Sequence, residues 1–595
     1  MSAHGPFVRT VDLLRYHPFP LPFMIRLSRT SVLACLLLGG LLMAGPLSSA
    51  HAQTLDDVLR YSDPLPASGS NTTGMAGAGL SSGIDAPATL FGNPAGLGWI
   101  SSSVLDGDFA IHRSRTDTRF ATPDATNFGD RAVSDYRLGS FSGAYSFPTT
   151  QGSFVLAASY HQTDTYGRGI DVLGENRSSS ISRTLLPSSF RVDGESIIFE
   201  GPNAVRSRIA YEAGATDFSQ AVFENGNYPF FQAANPNAPA VDGQLTLDQQ
   251  DDVREFGQMN ELSFGGAAAI APDVMLGVGV NIAFGSYTYE RFFRETETSG
   301  LLPPEDLQNP QPPYDPFFLS GTALEGFREL RIEERIESEL TGASIRTGLS
   351  AQPIDALRVG LHLESPTWYS INEVFGTAMS TTLDCDFGRN GAPCPEGGVP
   401  GFESGSLTSN EFEYDLRTPW RIGAGLQYTI AGLTIAGDVA FVDWTTANVD
   451  AGNTGSEDID RAIESIVVDL NRQIRELDPT FNTRLGLEYE TDLFGLRVGT
   501  AYHPSPLTED AVAPRRQPPS QIGRQIFSNV PDRSQLYLSA GASVALSDKT
   551  TLNINWLQER YEDRFISYTP EMGSAPTVQE DLRRNRVMLG LTYRP

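Results

Sequence analysis

Lysine is almost missing from this chain of 595 residues; Lys549 is the only one. Lys and Arg together number 43 against 72 Asp and Glu, a formal charge of -29. A phosphate backbone would be repelled by such a chain, so nucleic acid is excluded as a partner. The preference for Arg over Lys fits either GC-rich coding or an acidic surface kept hydrated in salt, and neither specifies function. Long apolar runs are scarce too. Only 40% of the residues are hydrophobic, and beyond the N-terminus no stretch could form a spanning helix. Any membrane role is therefore not helical. Cysteine is limited to Cys35, Cys385 and Cys394.

What is present begins with an export signal. Met24 to Arg29 is basic, Ser31 to Met43 is apolar, and Ala50-His51-Ala52 offers small residues for cleavage. Residues 1–52 are thus read as an upstream extension plus signal peptide, with Met24 the true start and the mature chain opening near Gln53. Cys35 follows Leu33-Ala34, but it lies inside the apolar region, which speaks against a lipoprotein site. Cys385 and Cys394 fall in a Gly/Pro-rich loop of an exported protein, where a local disulfide is favoured. A metal is the lesser alternative, because no His or second pair accompanies them.

From Ser134 onward apolar residues recur at every second position. Val274, Leu276, Val278, Val280, Ile282 and Phe284 face one way, against Met275, Gly277, Gly279, Asn281 and Ala283. Ile422, Leu426 and Tyr428 oppose Arg421, Gly423 and Gln427; Val359, Leu361 and Leu363 oppose Arg358, Gly360 and His362; Val587, Leu589 and Leu591 oppose Arg586, Met588 and Gly590. A sandwich would alternate as well, so the connections decide. Tight turns at 148–152, 271–273, 352–355, 431–432, 490–492 and 547–549 alternate with long polar stretches at 120–134, 164–255, 296–329, 370–406, 447–479, 504–532 and 567–582. This sorting by parity is the pattern of an outer-membrane barrel with periplasmic turns and exterior loops. The expected fold is all-β, a transmembrane antiparallel barrel of about 14 strands over residues 103–595, both termini periplasmic. Hydrocarbon offers no hydrogen-bond partner, so the strands must close on themselves. Tyr428, Tyr489, Tyr502, Trp444 and Trp556 are expected at the interfaces, and Ser456 to Asp478 has helical spacing that suits a cap over the barrel or a lining of its mouth.

Chemistry-bearing patterns are weak. Gly79-Leu80-Ser81-Ser82-Gly83 matches a nucleophile elbow in letters, without the strand before and helix after that the motif needs. His112, His161, His362 and His503 lie on separate segments, and no pair has metal spacing, so neither a metal nor another cofactor is expected. Strand parity turns Arg346, Arg358, Glu364, Arg421, Asp438, Arg484, Glu488, Arg497 and Arg586 into the lumen. Their plain reading is a wall of ion pairs; the functional alternative makes Arg346, Arg358, Arg421, Arg484 and Arg497 candidates for an acidic ligand head group, which the Arg fork binds with two hydrogen bonds.

A barrel of this size leaks unless it is filled. Residues 53–102 precede the first strand and are rich in glycine and alanine, which fold tightly in a narrow lumen. Gly74, Gly77, Gly79, Asp85, Asn93, Pro94 and Gly96 are therefore the candidate residues of an N-terminal hatch that shifts when a ligand arrives. Gly74-Met75-Ala76-Gly77-Ala78-Gly79, Asp85-Ala86-Pro87-Ala88 and Asn93-Pro94-Ala95-Gly96-Leu97 resemble the hatch of FadL/TodX-type outer-membrane transporters. The likeness extends through the hairpin pattern, Ser365 to Tyr369 and Asp438 to Trp444. It implies passive uptake of hydrophobic molecules, long-chain fatty acids or aromatic hydrocarbons, through exterior loops and out by a lateral wall opening. It also implies a monomer whose partners are the ligand, outer-membrane lipid and lipopolysaccharide. Two departures stand out: the long polar 164–255 loop, and a chain end at Tyr593-Arg594-Pro595 instead of an aromatic residue. A FadL-like shuttle component of a protein-secretion system, and an outer-membrane hydrolase, are the rival readings.

Overall fold

The computed structural model describes residues 55–83, 87–123, 125–194, 196–200, 204–218, 223–232, 234, 246–298, 327–383, 410–452, 457–508, 532–568 and 576–595. Asp85, Cys385, Cys394 and the signal segment with Met24 lie outside these residues.

Alternation dictates a sheet that is apolar on one face, and such a sheet surrounded by hydrocarbon has to close. It does. Eighteen ladder segments form one sheet, and four of its staves are each interrupted once, leaving fourteen antiparallel staves. The last stave, Thr577–Tyr593, pairs with the first, Val104–Ala121, from Leu105↔Tyr593 to Ala121↔Thr577. This seam closes the ring. The barrel begins and ends at its tight-turn end, where Thr126–Ser146 passes into Phe154–Thr165 and Thr550 follows Ser547. Among the described residues no helix is long and apolar enough to cross a membrane.

The burial pattern follows the expected parity. Leu276, Val278, Val280, Ile282 and Phe284 stand outward, as do Ile422, Leu426, Leu361, Leu589 and Leu591, while Arg346, Arg421, Asp438, Arg497 and Arg586 are buried inside. Tyr428, Tyr489 and Tyr502 are exposed on the wall, as an interface girdle requires. Trp444 departs from expectation. It begins a single 3-10 turn that interrupts the ninth stave and swings inward, where it is buried and its Nε1 donates to Thr480 Oγ1 at 3.0 Å.

The stretch expected as a long loop at 120–134 is a second correction. Strand continues to Ala121 and resumes at Thr126, joined by a short turn in which Thr122 N donates to Ala125 O at 2.9 Å. The fifth and sixth staves likewise run long, as Val274–Glu297 and Phe327–Ile354. Beyond the hydrocarbon both faces of a strand meet water or loops, so the apolar period fades while the ladder persists. Polar sequence there hides strands.

Within the 164–255 insertion, hairpins Ser189–Asp193/Ser196–Glu200 and Thr216–Phe218/Phe230–Gln232 flank the helix Ala204–Glu212. Phe190 packs edge-on to Phe230 at 4.9 Å between ring centres, and Phe218 to Phe230 at 5.2 Å, so these rings form the insertion's own core. The expected helix is present as Glu457–Ile474. Val467, Leu470, Ile474 and Leu477 bury its inner face. Its Asn471 side chain takes the Val449 amide at 2.9 Å and donates to the Val449 carbonyl at 2.7 Å, fastening the helix to the ninth stave.

Candidate functional site: a filled lumen and a parted wall

Residues 55–83 and 87–99 lie within the lumen and are almost wholly buried there. The segment opens with the helix Leu55–Ser62 and passes through successive turns that two glycines make possible: Gly77 (φ 81°) and Gly79 (φ 93°) occupy the left-handed region. Gly74 is needed for space instead, because a Cβ there would meet Arg497 Cβ at 3.1 Å. Asn93 caps a short 3-10 turn that starts at Pro94. Its side chain accepts from Ala95 N at 3.0 Å and donates to Ser81 O at 2.8 Å and to the wall carbonyl of Leu349 at 2.9 Å, with Leu361 O at 3.3 Å. Gly96 N–H returns to Asn93 O at 3.0 Å. One residue thus ties two turns to two adjoining staves.

Wall residues complete the grip. Asp438 accepts from Ser81 N at 3.2 Å, tying this turn to the ninth stave. Ser350 Oγ donates to Ser82 O at 2.6 Å, and Ser539 Oγ to Gly74 O at 3.0 Å. The wall is hollowed where the turns press: Cβ atoms at Gly277, Gly360, Gly486 and Gly499 would strike Pro94-Ala95, Ser81-Ser82, Met75-Ala78 and Met75. These glycines belong to the small-residue face of the alternation.

The candidate arginines converge on the same segment. Arg346 reaches Leu90 O at 3.2 Å and forks onto Glu261, with Glu364 at 2.9 Å. Arg358 donates to Gly83 O at 3.1 Å and stacks over Trp99 at 4.7 Å. Arg421 donates to Ser62 O and lies 3.9 Å from Asp63. Arg497 pairs with Glu488, and Arg484 lies against Gly77 and the Asp438 charge. In this state the donors of Arg346, Arg358, Arg421 and Arg497 serve segment carbonyls and wall carboxylates.

Above the turns, the N-terminal helix borders a cavity of about 140 Å³ lined by Asp56, Arg60, Asp63, Asp164, Arg533 and Arg584 among others. Its walls are ion-paired. Arg533 bridges Asp56 and Asp563 (2.8 Å to the latter), Arg584 meets Glu559 at 2.7 Å, and Arg60 stacks on Tyr287 at 4.0 Å. Burial by itself would raise the Asp63 carboxyl, but His503, 3.4 Å away, with Arg421 and Arg484, overcomes it and holds Asp63 below its ordinary range. This cavity is charged, not apolar.

The wall itself parts at one place. The second stave pairs with the first along its whole length, yet with the third only from Ser146↔Val155 to Ser140↔His161. Further along, the third stave breaks at Tyr166-Gly167 and resumes as Arg168–Asn176, paired with the fourth alone. The two staves approach again where a Cβ on Gly169 would meet Arg131 and one on Gly129 would meet Asp171. Between these points, residues 131–139 face residues 162–168 without a ladder. Three further interruptions, at Ser365 to Thr367, Thr418-Pro419 and Trp444 to Ala447, lie in adjoining staves, and two of them contain a proline that cannot donate to a ladder.

Ser81 sits among turns, and among the described residues of the segment no strand precedes it and no α-helix follows it. His161 Nδ1 meets Ser68 Oγ at 3.0 Å, and among the described residues no group of His, Cys, Asp and Glu is placed to hold a metal.

This arrangement defines a class: a closed barrel whose lumen is filled by the segment preceding its first strand. No protein-family model matches the chain, and no curated protein sequence matches it. Among solved structures it is similar to a Pseudomonas aeruginosa FadL homologue, with 12% identity over 90% of this chain and 99% of that one (TM-score 0.47). It is similar also to the P. putida toluene transporter TodX, at 11% identity over 89% and 99% (TM-score 0.43), and to the Ralstonia pickettii toluene transporter TbuX, at 13% over 89% and 99% (TM-score 0.41). At such values the likenesses carry nothing about ligands, and the barrel rests on its own ladders.

Proposed function

We propose that the protein is a passive outer-membrane channel for hydrophobic or amphipathic small molecules. Its exterior loops capture the ligand, residues 53–102 act as the hatch, and the ligand leaves sideways between the second and third staves. The carrying observation is the combination of a filled lumen with a wall lacking its ladder over residues 131–139. An axial path meets the Asn93 and Asp438 anchorages, whereas the lateral path breaks no backbone pairing. A molecule that partitions into hydrocarbon gains free energy by leaving sideways, so no fuel is required. In this reading both termini are periplasmic, the chain acts as a monomer, Cys385 and Cys394 form a local disulfide in an exterior loop, and the five arginines hold the hatch shut until ligand displaces it.

The test is reconstitution in liposomes with a photo-crosslinking residue at Val133, whose side chain lies 4.0 Å from a Cβ position on Gly167. Accelerated entry of methyl dodecanoate, with a diazirine analogue captured at position 133, supports the reading. Entry with no adduct there refutes the lateral route, and no acceleration refutes transport.

A further inference from the structure

Arg586 projects from the last stave into the lumen and is 2% exposed, yet none of its three guanidinium nitrogens has a hydrogen-bond partner among the described residues. Nor does any carboxylate there reach it as an ion pair, although Asp108, Asp164 and Asp135 contribute to its field. A buried guanidinium left this way is costly, whereas the neighbouring Arg584 pairs with Glu559 through Nη1 at 2.7 Å. The register places Arg586 opposite His112 of the first stave, and His112 pairs on its other side with Asp135, within the part of the second stave that has lost the third. His112 Nε2 meets Gln162 Oε1 at 2.9 Å, which leaves the Gln162 amide nitrogen without a partner; Gln162 is the first residue of the third stave past the end of the ladder. Ser114, two residues along the first stave from His112 and opposite Val133 of the parted stretch, also has a buried, unpartnered hydroxyl. The unspent donors therefore gather on the lumenal side of the gap.

We propose that Arg586 and Gln162 form a head-group site for an ionised carboxylate at the inner mouth of the wall gap, with His112 as the positioning residue that holds Gln162. The proposal rests on the transport reading and narrows its ligand to an amphiphile with an anionic head, in preference to an uncharged hydrocarbon. The guanidinium fork donates to both carboxylate oxygens, and the Gln162 amide supplies a further donor. The apolar tail then points through the gap, past outward Leu138 and Tyr136, toward lipid. Asp164 lies on both the charged cavity and the Arg586 field, so an anion leaving the cavity passes from Arg584 to Arg586.

The experiment measures binding of dodecanoate and of methyl dodecanoate to the full mature chain in lipid nanodiscs, for the wild type, Arg586→Met and Arg586→Lys. Arg586→Met is expected to weaken dodecanoate at least roughly tenfold, with methyl dodecanoate unchanged, and Arg586→Lys to fall between. Removing an unpaired buried charge leaves the barrel folded, which heat-modified gel migration reports for each variant. Dodecanoate binding unchanged in Arg586→Met, while wild type binds both compounds, overturns the site and leaves the transport reading standing. Wild type that binds neither compound overturns both. Equal weakening of acid and ester also overturns the site, since it marks a general loss of shape.

Discussion

Gly277→Val puts the filled lumen to its sharpest test. A Cβ at this position would overlap Ala95 N and Pro94 C and lie 2.6 Å from Ala95 Cα. All of these are backbone atoms, so no rotamer change relieves the clash. The Asn93-Pro94-Ala95 turn has to withdraw, and Asn93 then loses its bonds to Leu349 O and Leu361 O. Those bonds contribute about 1 kcal/mol each, and overpacking adds about 1–3 kcal/mol, so seating of the segment weakens by about 3–5 kcal/mol. The wall responds in the opposite sense, because valine suits a strand better than glycine, on a scale that spans about 1 kcal/mol. The expected outcome is a barrel as resistant to heat and detergent as the wild type, with higher conductance in planar bilayers and an N-terminal segment open to protease. A variant that keeps the closed conductance and a protected segment refutes the packing. A barrel that unfolds along with its segment refutes the independence of the two.

Asp438→Asn should loosen the turn at Ser81 by about 1–3 kcal/mol, since it removes the charged acceptor of the Ser81 amide; faster hydrogen exchange at Ser81 is the measure. Arg533→Met leaves Asp56 and Asp563 buried without their shared partner, at a cost of about 3–5 kcal/mol, and should free the N-terminal helix to protease while the strand signal in circular dichroism is kept. Asp63 has a lowered folded-state value. Its stabilisation is therefore complete above the ordinary Asp value, about pH 4, and is lost as the pH falls through the lower folded value. Acrylamide quenching of a tryptophan placed at Leu59 should stay flat from about pH 7 to about pH 5 and rise only in stronger acid, and Asp63→Asn should abolish that rise.

How much of this was legible in the sequence depended on whether a residue's environment repeats. Val278, Leu361 and Leu589 face a uniform hydrocarbon, so period-two alternation assigned their side and that of Arg346, Asp438 and Arg586 opposite. The polar strand ends near Phe120 and Thr126 meet no such uniform surrounding, and alternation passed them by as loop. Trp444 read as an interface aromatic because a 3-10 turn of three residues leaves no trace in a two-residue period. The five arginines were placed in the lumen by parity, but parity says nothing of what stands opposite, and here that is a segment hundreds of residues earlier. The wall glycines were visible as the small face of the alternation; their purpose needed the plug in place. The break in the third stave had only Tyr166-Gly167 to mark it.

The long reach of those contacts bears on biogenesis. Ser81 meets Asp438 across 357 residues, and Gly74 meets Ser539 across 465. The N-terminal segment emerges first, yet every surface that shapes it is made later, on staves from the first to the last. Its conformation cannot be a nucleus that the strands assemble around. It sets only once the last stave has zipped to the first, so protease resistance of the Gly74 to Leu97 stretch is a clock that reads the final step of insertion.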